Sequence, residues 1–300
     1  INRAYILSRV AETEELEREI ARLEEILKSK VKLQNVIIQE LNAVAKKYAQ
    51  PRRTMLLEPS EIEEYVEDEE KPDYPVNLFL TQSGYFKKIT PQSWRLSSEH
   101  KLKEGDIVFW NSEARSADEI IFLTDRAQAY KSKLSDFDDV KASVLGDYLP
   151  AKLSFEDGEL PIFAFLPGDY SGSLLFVFEN GKAARIPMKS FETKSNRRKL
   201  TGAYSLASAL VGVFAFTEDI EVALYTSNGR MLLVSTALLS PKVTRNSIGV
   251  AVMSVRGKHR VERALPLADA HLKDPKRYRA KSLPAAGAVL KPEDDGQAMM

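Results

Sequence analysis

Four stretches of the chain repeat one local plan, and this repetition limits the possible fold more than any other sequence feature. Each stretch has an apolar run, a short turn and a second run that carries basic residues. The stretches are residues 78–88, 121–131, 175–185 and 223–233. Their aligned turn residues, separated by 43, 54 and 48 residues, are Gly84, Ala127, Gly181 and Gly229. Apolar runs joined by such turns predict four β-hairpins.

The turn residues suggest the type of turn. Asn180-Gly181 and Asn228-Gly229 are the residue pair that a type I′ hairpin favours, because both central residues need a positive φ. Ala127 breaks the glycine pattern, so we expect a different turn in the second hairpin.

The period of 40–50 residues is typical of a blade-repeat fold. Each repeat also has a later apolar segment that we interpret as a further strand. These segments are residues 107–110, 162–166, 210–214 and 250–255. A single four-stranded blade cannot bury both of its faces, so about four blades must pack radially over residues 74–267.

Residues 1–54 have helical periodicity instead. Leu16 and Leu23 lie seven residues apart, as do Ile20 and Leu27, which predicts a short coiled-coil seam. Two heptads are too few for an autonomous coiled coil, and the chain begins at Ile1 without an initiator Met. We therefore interpret this stem as part of a longer protein whose other residues supply a partner helix.

Charge is balanced only as a sum, with 43 basic and 43 acidic residues. That total alone argues against a nucleic-acid partner. However, residues 57–73 carry a charge of −8, whereas residues 1–53, 74–267 and 268–300 carry +3, +4 and +1. The acidic segment within residues 55–73 is interpreted either as a solvated linker or as an internal competitor for a basic surface. Residues 268–300 are rich in Ala, Gly, Pro and acids, which predicts a flexible tail.

Basic residues recur four positions after three of the four turn residues, at Lys88, Lys131 and Arg185; the fourth position is Leu233. A strand lysine often only protects a sheet edge from aggregation. A recurring cation instead predicts a basic belt that would neutralise DNA phosphates without reading bases. The candidate DNA-binding residues are Lys87, Lys88, Arg95, Lys101, Lys103, Lys131, Arg185, Lys189, Arg197, Arg198, Lys199, Arg230, Lys242 and Arg245.

Other chemistry has little support in the sequence. There is no Cys, the three His residues are far apart, and no nucleotide-binding or hydrolase motif occurs, so we predict no metal, cofactor or catalytic residue in this fragment. No apolar run reaches 18 residues, so we predict no membrane partner. Trp94 and Trp110 are interpreted as packing residues, not as platforms for stacked bases.

Two blocks resemble the A subunit of bacterial type IIA DNA topoisomerases, meaning DNA gyrase or topoisomerase IV. Residues 32–41 (KLQNVIIQEL), continuing to Arg52-Arg53-Thr54, resemble the segment that leaves the DNA-gate coiled coil. The four hairpins resemble the repeats of the C-terminal β-pinwheel. The resemblance implies a mainly β pinwheel that binds and bends duplex DNA and presents a transfer segment to the gate.

The resemblance also implies a setting. The partners would be duplex DNA, the A-subunit dimer and the ATPase B subunit of a cytoplasmic, nucleoid-associated bacterial enzyme. The parent enzyme would use Mg²⁺ and ATP through parts outside this fragment. In gyrase A subunits a glycine- and arginine-rich box follows the first hairpin, and six blades are usual. Residues 97–105 lack that box and we count four blades, so we expect a modest bend and leave gyrase or topoisomerase IV activity open.

A protein-binding propeller on a helical stem is the alternative function. It predicts basic residues that are paired with acids and an exposed apolar patch.

Overall fold

The computed structural model describes residues 2–50, 72–96, 99–193 and 198–294. The chain forms two compact units, residues 1–67 and residues 68–300. Most of the predicted acidic linker and Arg52-Arg53-Thr54 lie outside the described residues.

The first unit contains two helices, α1 (Arg3–Lys28) and α2 (Lys30–Tyr48). Asn2 caps α1 by accepting a hydrogen bond from the backbone N–H of Ala4. Ser29, in an extended conformation, interrupts the helical run and caps α2. The predicted helices are confirmed. The seam residues Leu16, Ile20, Leu23 and Leu27 are all exposed, and the coiled coil stays a prediction.

The second unit contains four antiparallel sheets of four strands each, which confirms the predicted number of blades. Sheet 1 is built from β1 (Pro75–Thr81), β2 (Tyr85–Ile89), β3 (Val108–Arg115) and β6 (Asp147–Tyr148). Sheet 2 is built from β4 (Glu119–Thr124), β5 (Gln128–Lys133), β7 (Pro161–Phe165) and β10 (Lys199–Thr201).

Sheet 3 contains β8 (Ser173–Phe178), β9 (Lys182–Pro187), β11 (Leu210–Phe216) and β14 (Val250–Ala251). Sheet 4 contains β12 (Glu221–Thr226), β13 (Arg230–Ser235), β15 (Val261–Pro266) and β16 (Ala288–Val289). Two short helices, α3 (Pro91–Arg95) and α4 (Leu149–Lys152), lie between strands.

One edge strand of each sheet comes from a later part of the chain. β6 pairs with β2, and β14 pairs with β9, although each follows the hairpin of the next sheet in sequence. The segment 250–255 was predicted as a strand of the fourth blade, and this assignment is wrong. It contributes β14 to sheet 3, and β15 takes the expected place in sheet 4. A short apolar run has the same local pattern in either sheet, so sequence alone could not assign it.

The hairpin turns differ from the predicted type I′. Asn180 and Asn228 have no positive φ, whereas Gly181 and Gly229 have φ of +77° and +68°. Each hairpin therefore has a three-residue loop whose last residue is left-handed. Ala127 adopts φ +52° and donates its N–H to the Thr124 carbonyl, as the glycines do to their equivalents. The expected different turn at Ala127 is thus wrong, because an alanine takes the same conformation.

The core lies between consecutive sheets. In β4, Ile120 and Phe122 pack toward sheet 1, whereas Ile121 and Leu123 pack toward sheet 3. Successive strand residues point to opposite faces, so a central strand that is apolar throughout serves two cores. The free face of sheet 1 carries Phe79, whose ring lies 4.9 Å from that of Trp94. Trp94 and Trp110 both pack within the fold, as predicted.

Residues 268–294 do not form the flexible tail that their composition predicts. Ala223, Tyr225, Met231 and Leu233 form an apolar face on sheet 4, and the C-terminal segment covers it with the buried Tyr278 and with β16. Covering this face removes apolar surface from water and so favours docking of the segment. The amino-acid composition of the segment does not indicate this contact with sheet 4. Residues 295–300 lie outside the described residues.

We expect Gly181→Ala to destabilise the protein more than Gly229→Ala. Both glycines occupy the same left-handed turn position, so both substitutions cost about 1–2 kcal/mol in backbone conformation. A Cβ at Gly181 would also lie 2.2 Å from the Met253 carbonyl oxygen, whereas nothing lies within 4 Å of one at Gly229. Urea unfolding of the two variants checks this; equal losses would contradict the packing argument.

Docking of the C-terminal segment should weaken in acid. Burial raises the pKa of the Asp294 carboxyl, but the hydrogen bonds that it accepts from Tyr278 and the Lys273 backbone bring this pKa below its ordinary value. A lowered folded-state pKa stabilises above the unfolded pKa of about 3.9 and is lost as pH falls through the folded value.

Asp294→Asn should therefore lose about 1–3 kcal/mol at pH 7, and its deficit should shrink as pH falls below 4. Thermal unfolding of both proteins from pH 7 to pH 3 tests this. A deficit that stays constant with pH would show that the charge is unimportant.

Candidate nucleic-acid interface

The three aligned cations Lys88, Lys131 and Arg185 occupy equivalent places, but they do not form an open belt. Their side chains are only 4%, 16% and 19% exposed. Each pairs with an acid: Lys88 with Asp139 at 3.1 Å, Lys131 with Glu119 at 3.0 Å and Arg185 with Asp219 at 2.9 Å. The expectation that they present free charge to solvent is therefore corrected.

The backbone explains why these positions are equivalent. A segment that follows the next hairpin passes beside each of them and forms a hydrogen bond with its backbone. The bonds join Val140 N–H to the Lys88 carbonyl, Lys131 N–H to the Arg198 carbonyl and Lys242 N–H to the Arg185 carbonyl. At the fourth position, Leu233 forms such bonds with Tyr278 and Ala280. The crossing segment also supplies the paired acid at Lys88, through Asp139, whereas Glu119 belongs to β4 and Asp219 precedes β12.

Further contacts engage the charged groups of these cations. The Lys88 ammonium also donates to the Leu134 carbonyl at 3.1 Å, and the Arg185 guanidinium donates to the Thr236 carbonyl at 3.0 Å. Burial lowers the pKa of Lys131, but its contacts with Tyr170 and Glu119 raise this pKa by more, so it stays charged. Removing one partner of such a covered pair would leave the other charge uncompensated, which is costly.

Lys87 is fully buried and is likewise not an exposed cation. Its ammonium donates to the carbonyls of Lys101 at 2.7 Å and Ala142 at 3.1 Å. Burial lowers the pKa of Lys87, and the nearby Asp106 opposes that shift. Lys87 therefore ties the chain after β2 and the chain before β6 to sheet 1.

Three further candidates contact their own fold. Lys199 pairs with Glu156 at 3.0 Å and lies over the Tyr130 ring. Arg230 donates to the Gly287 carbonyl at 2.8 Å, and Arg245 donates to the Ser190 carbonyl at 2.7 Å. These residues join segments that are distant in sequence.

Five of the remaining candidates are exposed to solvent. Arg95, Lys101 and Lys103 are exposed near sheet 1. Lys189 is 69% exposed and pairs with Glu192 at 2.5 Å, and Arg198 is 73% exposed with a long 3.8 Å contact to Asp136. Lys242 is half-buried, and Arg197 lies outside the described residues.

The structure adds three exposed cations that the aligned hairpin positions do not include. Arg256, Lys258 and Arg260 alternate around Gly257 in the loop before β15. Alternating basic residues around a glycine are a signal that the sequence does carry, but this signal occurs only once and is not part of the repeat.

The described residues contain no group of three or more His, Asp or Glu side chains positioned to hold a metal ion. His100 packs against Phe79 and Trp94, and burial lowers its pKa. Among these same residues, no helix combines the length and the apolar character that a membrane span requires.

Comparison with known proteins gives matches of two kinds. The A subunit of DNA topoisomerase 4 from Staphylococcus aureus (strain MRSA252) is 27% identical over 242 residues, or 78% of this chain and 30% of that protein. A crystal structure of the C-terminal domain of DNA topoisomerase IV matches with a TM-score of 0.57 and 21% identity, covering 65% of this chain and 62% of that one.

The E. coli ParC C-terminal domain matches with a TM-score of 0.53 and 14% identity, covering 73% of this chain and 94% of that one. No protein-family model matches the chain. The structural matches establish the fold of the second unit, and the chain spans only about 30% of the curated relatives it matches.

Charge reversal at a paired cation should destabilise the protein, not merely weaken a surface. Arg185→Glu places a second carboxylate beside Asp219, which is 43% exposed, and should cost about 1–3 kcal/mol. Lys189→Glu changes the charge equally at an exposed side chain and should leave stability within about 0.5 kcal/mol. Urea unfolding measures both; unchanged stability in Arg185→Glu would contradict a structural role for the ion pair.

Proposed function

We propose that this chain, which is homologous to the A subunit of bacterial topoisomerase IV, binds duplex DNA as the C-terminal part of such a protein. The observation that carries the proposal is the 27% identity over 242 residues, together with a fold that matches the C-terminal domain of DNA topoisomerase IV. The fold alone would be insufficient, because one fold can host unrelated functions.

The physical support is a set of exposed cations on the second compact unit, residues 68–300, here called the sheet unit. Arg95, Lys101, Lys103, Lys189 and Arg198 can approach a phosphate backbone without breaking the core. Such cations release counterions from DNA and give affinity without base recognition. The proposed contact therefore does not depend on the base sequence of the DNA, as is expected of a domain that binds any duplex segment.

A modest bend is the deformation that this surface supports. Bending a site of 20–30 base pairs by 40–90° costs about 1–6 kcal/mol, which phosphate contacts must offset. Several cations of the sheet unit are already occupied by Asp139, Glu119 and Asp219. Few remain for a complete wrap, so a topoisomerase IV-like role in presenting a transfer segment is favoured over gyrase-like wrapping.

The remaining features of the parent enzyme stay predictions. They are association with an A-subunit dimer and an ATPase B subunit, use of Mg²⁺ and ATP elsewhere in the enzyme, and a cytoplasmic location at the nucleoid. In this arrangement the first compact unit, residues 1–67 and here called the helical unit, continues the coiled coil at the gate. The sheet unit binds the DNA segment and contributes no catalytic residue.

Binding of the whole chain to a labelled duplex, measured at several salt concentrations, tests the proposal. Affinity should fall steeply with salt, with log K decreasing by about 0.9 per decade of salt for each phosphate neutralised. The triple variant Arg95→Glu, Lys101→Glu, Lys103→Glu should bind more weakly and with a smaller salt slope. Affinity that is indifferent to salt would overturn the proposal.

A matched control separates local contacts from overall charge. The triple variant Lys28→Glu, Lys30→Glu, Lys46→Glu makes the same change of charge on exposed residues of the helical unit. It should retain more DNA affinity than the sheet-unit variant. Equal losses in both would mean that net charge, not a surface of the sheet unit, governs binding.

A protein-binding domain is the second candidate, and two observations favour it. The aligned cations are paired with acids, as that candidate predicts. The segment 238–250 also exposes Leu238, Val243, Ile248 and Val250. The salt titration decides between the candidates, because a protein-binding domain has no reason to bind duplex DNA with a steep salt dependence.

A further inference from the structure

Four equivalent loops close the sheets at the end where the hairpin turns lie. They precede β3, β7, β11 and β15 and are residues 101–107, 153–160, 202–209 and 254–260. Each ends on a carbonyl that accepts a hydrogen bond of 2.9–3.0 Å from its hairpin turn; the bonds are Gln82 to Ile107, Asp125 to Leu160, Glu179 to Ala209 and Ser227 to Arg260. All four loops are therefore held to their hairpin turns by the same backbone hydrogen bond.

The four loops differ in charge although the same backbone hydrogen bond holds each of them. Loop 153–160 carries three acids, Glu156, Asp157 and Glu159, and loop 202–209 carries no charged residue. Loop 101–107 has two basic and two acidic residues, whereas loop 254–260 has three basic residues and no acid. Since loop 202–209 closes its sheet without any charge, the positive charge of loop 254–260 is not required by the fold.

Contacts within the loops support this distinction. The buried Glu159 accepts hydrogen bonds from Thr124, Tyr130 and the Glu156 backbone, so one acid of loop 153–160 does serve the fold. Arg256 and Lys258, in contrast, are exposed and have no hydrogen bond or ion pair from their side chains within the described part of the chain. Their charge is directed to solvent.

The shape of loop 254–260 leaves this charge accessible. His259 N–H donates to the Arg256 carbonyl, which closes a turn around Gly257 at φ +64°. Nothing lies within 4 Å of the position that a Cβ on Gly257 would take. Arg260 makes only long contacts, 3.9 Å to Glu179 and 3.5 Å to Glu262, and is 58% exposed.

The loop also spans two sheets. The chain leading into it is held by Val252 N–H on the Gly181 carbonyl of the third hairpin, and the loop ends at Ser227 of the fourth. Lys182 and Arg230 stand directly after these two turns. The turn ends of sheets 3 and 4 are thus predominantly basic, whereas the corresponding loop of sheet 2 is acidic.

We propose that loop 254–260 is the main phosphate-binding surface of the sheet unit and holds the DNA backbone across the turn ends of sheets 3 and 4. This inference rests on the proposed DNA-binding function and gives it a location. Duplex DNA fits because its regular row of phosphates matches a row of exposed cations, in which Arg256 and Lys258 make no other side-chain contact within the described residues and Arg260 makes only long ones. Loop 153–160 of sheet 2 carries no cation, and its Glu156 is paired with Lys199 and Arg126, so the contact covers only part of the unit.

The test neutralises the loop in the whole chain with Arg256→Gln, Lys258→Gln and Arg260→Gln. Because each cation on a phosphate contributes about one to the salt slope, the slope should fall by about three and affinity at low salt should fall at least about tenfold. The control, Lys273→Gln, Lys276→Gln and Arg277→Gln, removes the same charge from exposed residues of the C-terminal segment and should retain affinity within about threefold.

The outcomes separate the two proposals. If the unmodified chain shows no salt-dependent binding to duplex DNA, the proposed function fails and this inference fails with it. If the unmodified chain binds but the loop variant binds as the control does, only the location is wrong. Both variants should unfold at the wild-type temperature; a loop variant that unfolds earlier would show that its charges serve the fold, and would overturn the inference.

Discussion

Burial of the central strands on both faces is the constraint on which the rest of the sheet unit depends. In β8, Leu174 and Phe176 enter the core shared with sheet 2, whereas Leu175 and Val177 enter the core shared with sheet 4. A sheet of this kind has no stable isolated state, because either face would expose a row of large apolar side chains. The exchanged edge strands strengthen the same dependence, since sheets 1 to 3 are each completed by a strand from the next repeat and sheet 4 is completed by β16 of the C-terminal segment.

This packing accounts for the cations that the sequence places on the aligned strand positions. The segment that leads to each exchanged strand forms a backbone hydrogen bond beside Lys88, Lys131 and Arg185, and their side chains pair with Asp139, Glu119 and Asp219. After sheet 4 the described residues contain the C-terminal segment in place of another hairpin, and this segment covers Leu233 with apolar contacts. Leu233, the exception to the pattern of aligned cations, therefore lies in the last of the four sheets. A cation is present where another repeat follows, and a leucine is present where the unit ends.

Local patterns in the sequence predicted what is local in the fold. The hairpins, the number of sheets and the helices follow from periodicity and turn residues, so they could be read from the chain. The assignment of β14 to sheet 3, the burial of Lys87 and the packing of Tyr278 depend on contacts between residues that are far apart in the chain. Periodicity holds no information on such partners. For the candidate site this matters most, because exposure decides whether a cation can meet DNA, and exposure is set by those distant contacts.

The balance of charge has a different meaning once the pairs are known. An ion pair between sheets removes one positive and one negative charge from the surface together, so the total for residues 74–267 does not change. What changes is the distribution of the charge that remains. Acids such as Asp139 and Asp219 are engaged with strand cations, whereas Arg256 and Lys258 are exposed in a loop without acids. At physiological ionic strength charges are screened beyond about 8 Å, so a phosphate responds to the few charges nearest to it and not to the net charge of the chain. A neutral protein can therefore hold DNA firmly at one loop and repel it at another.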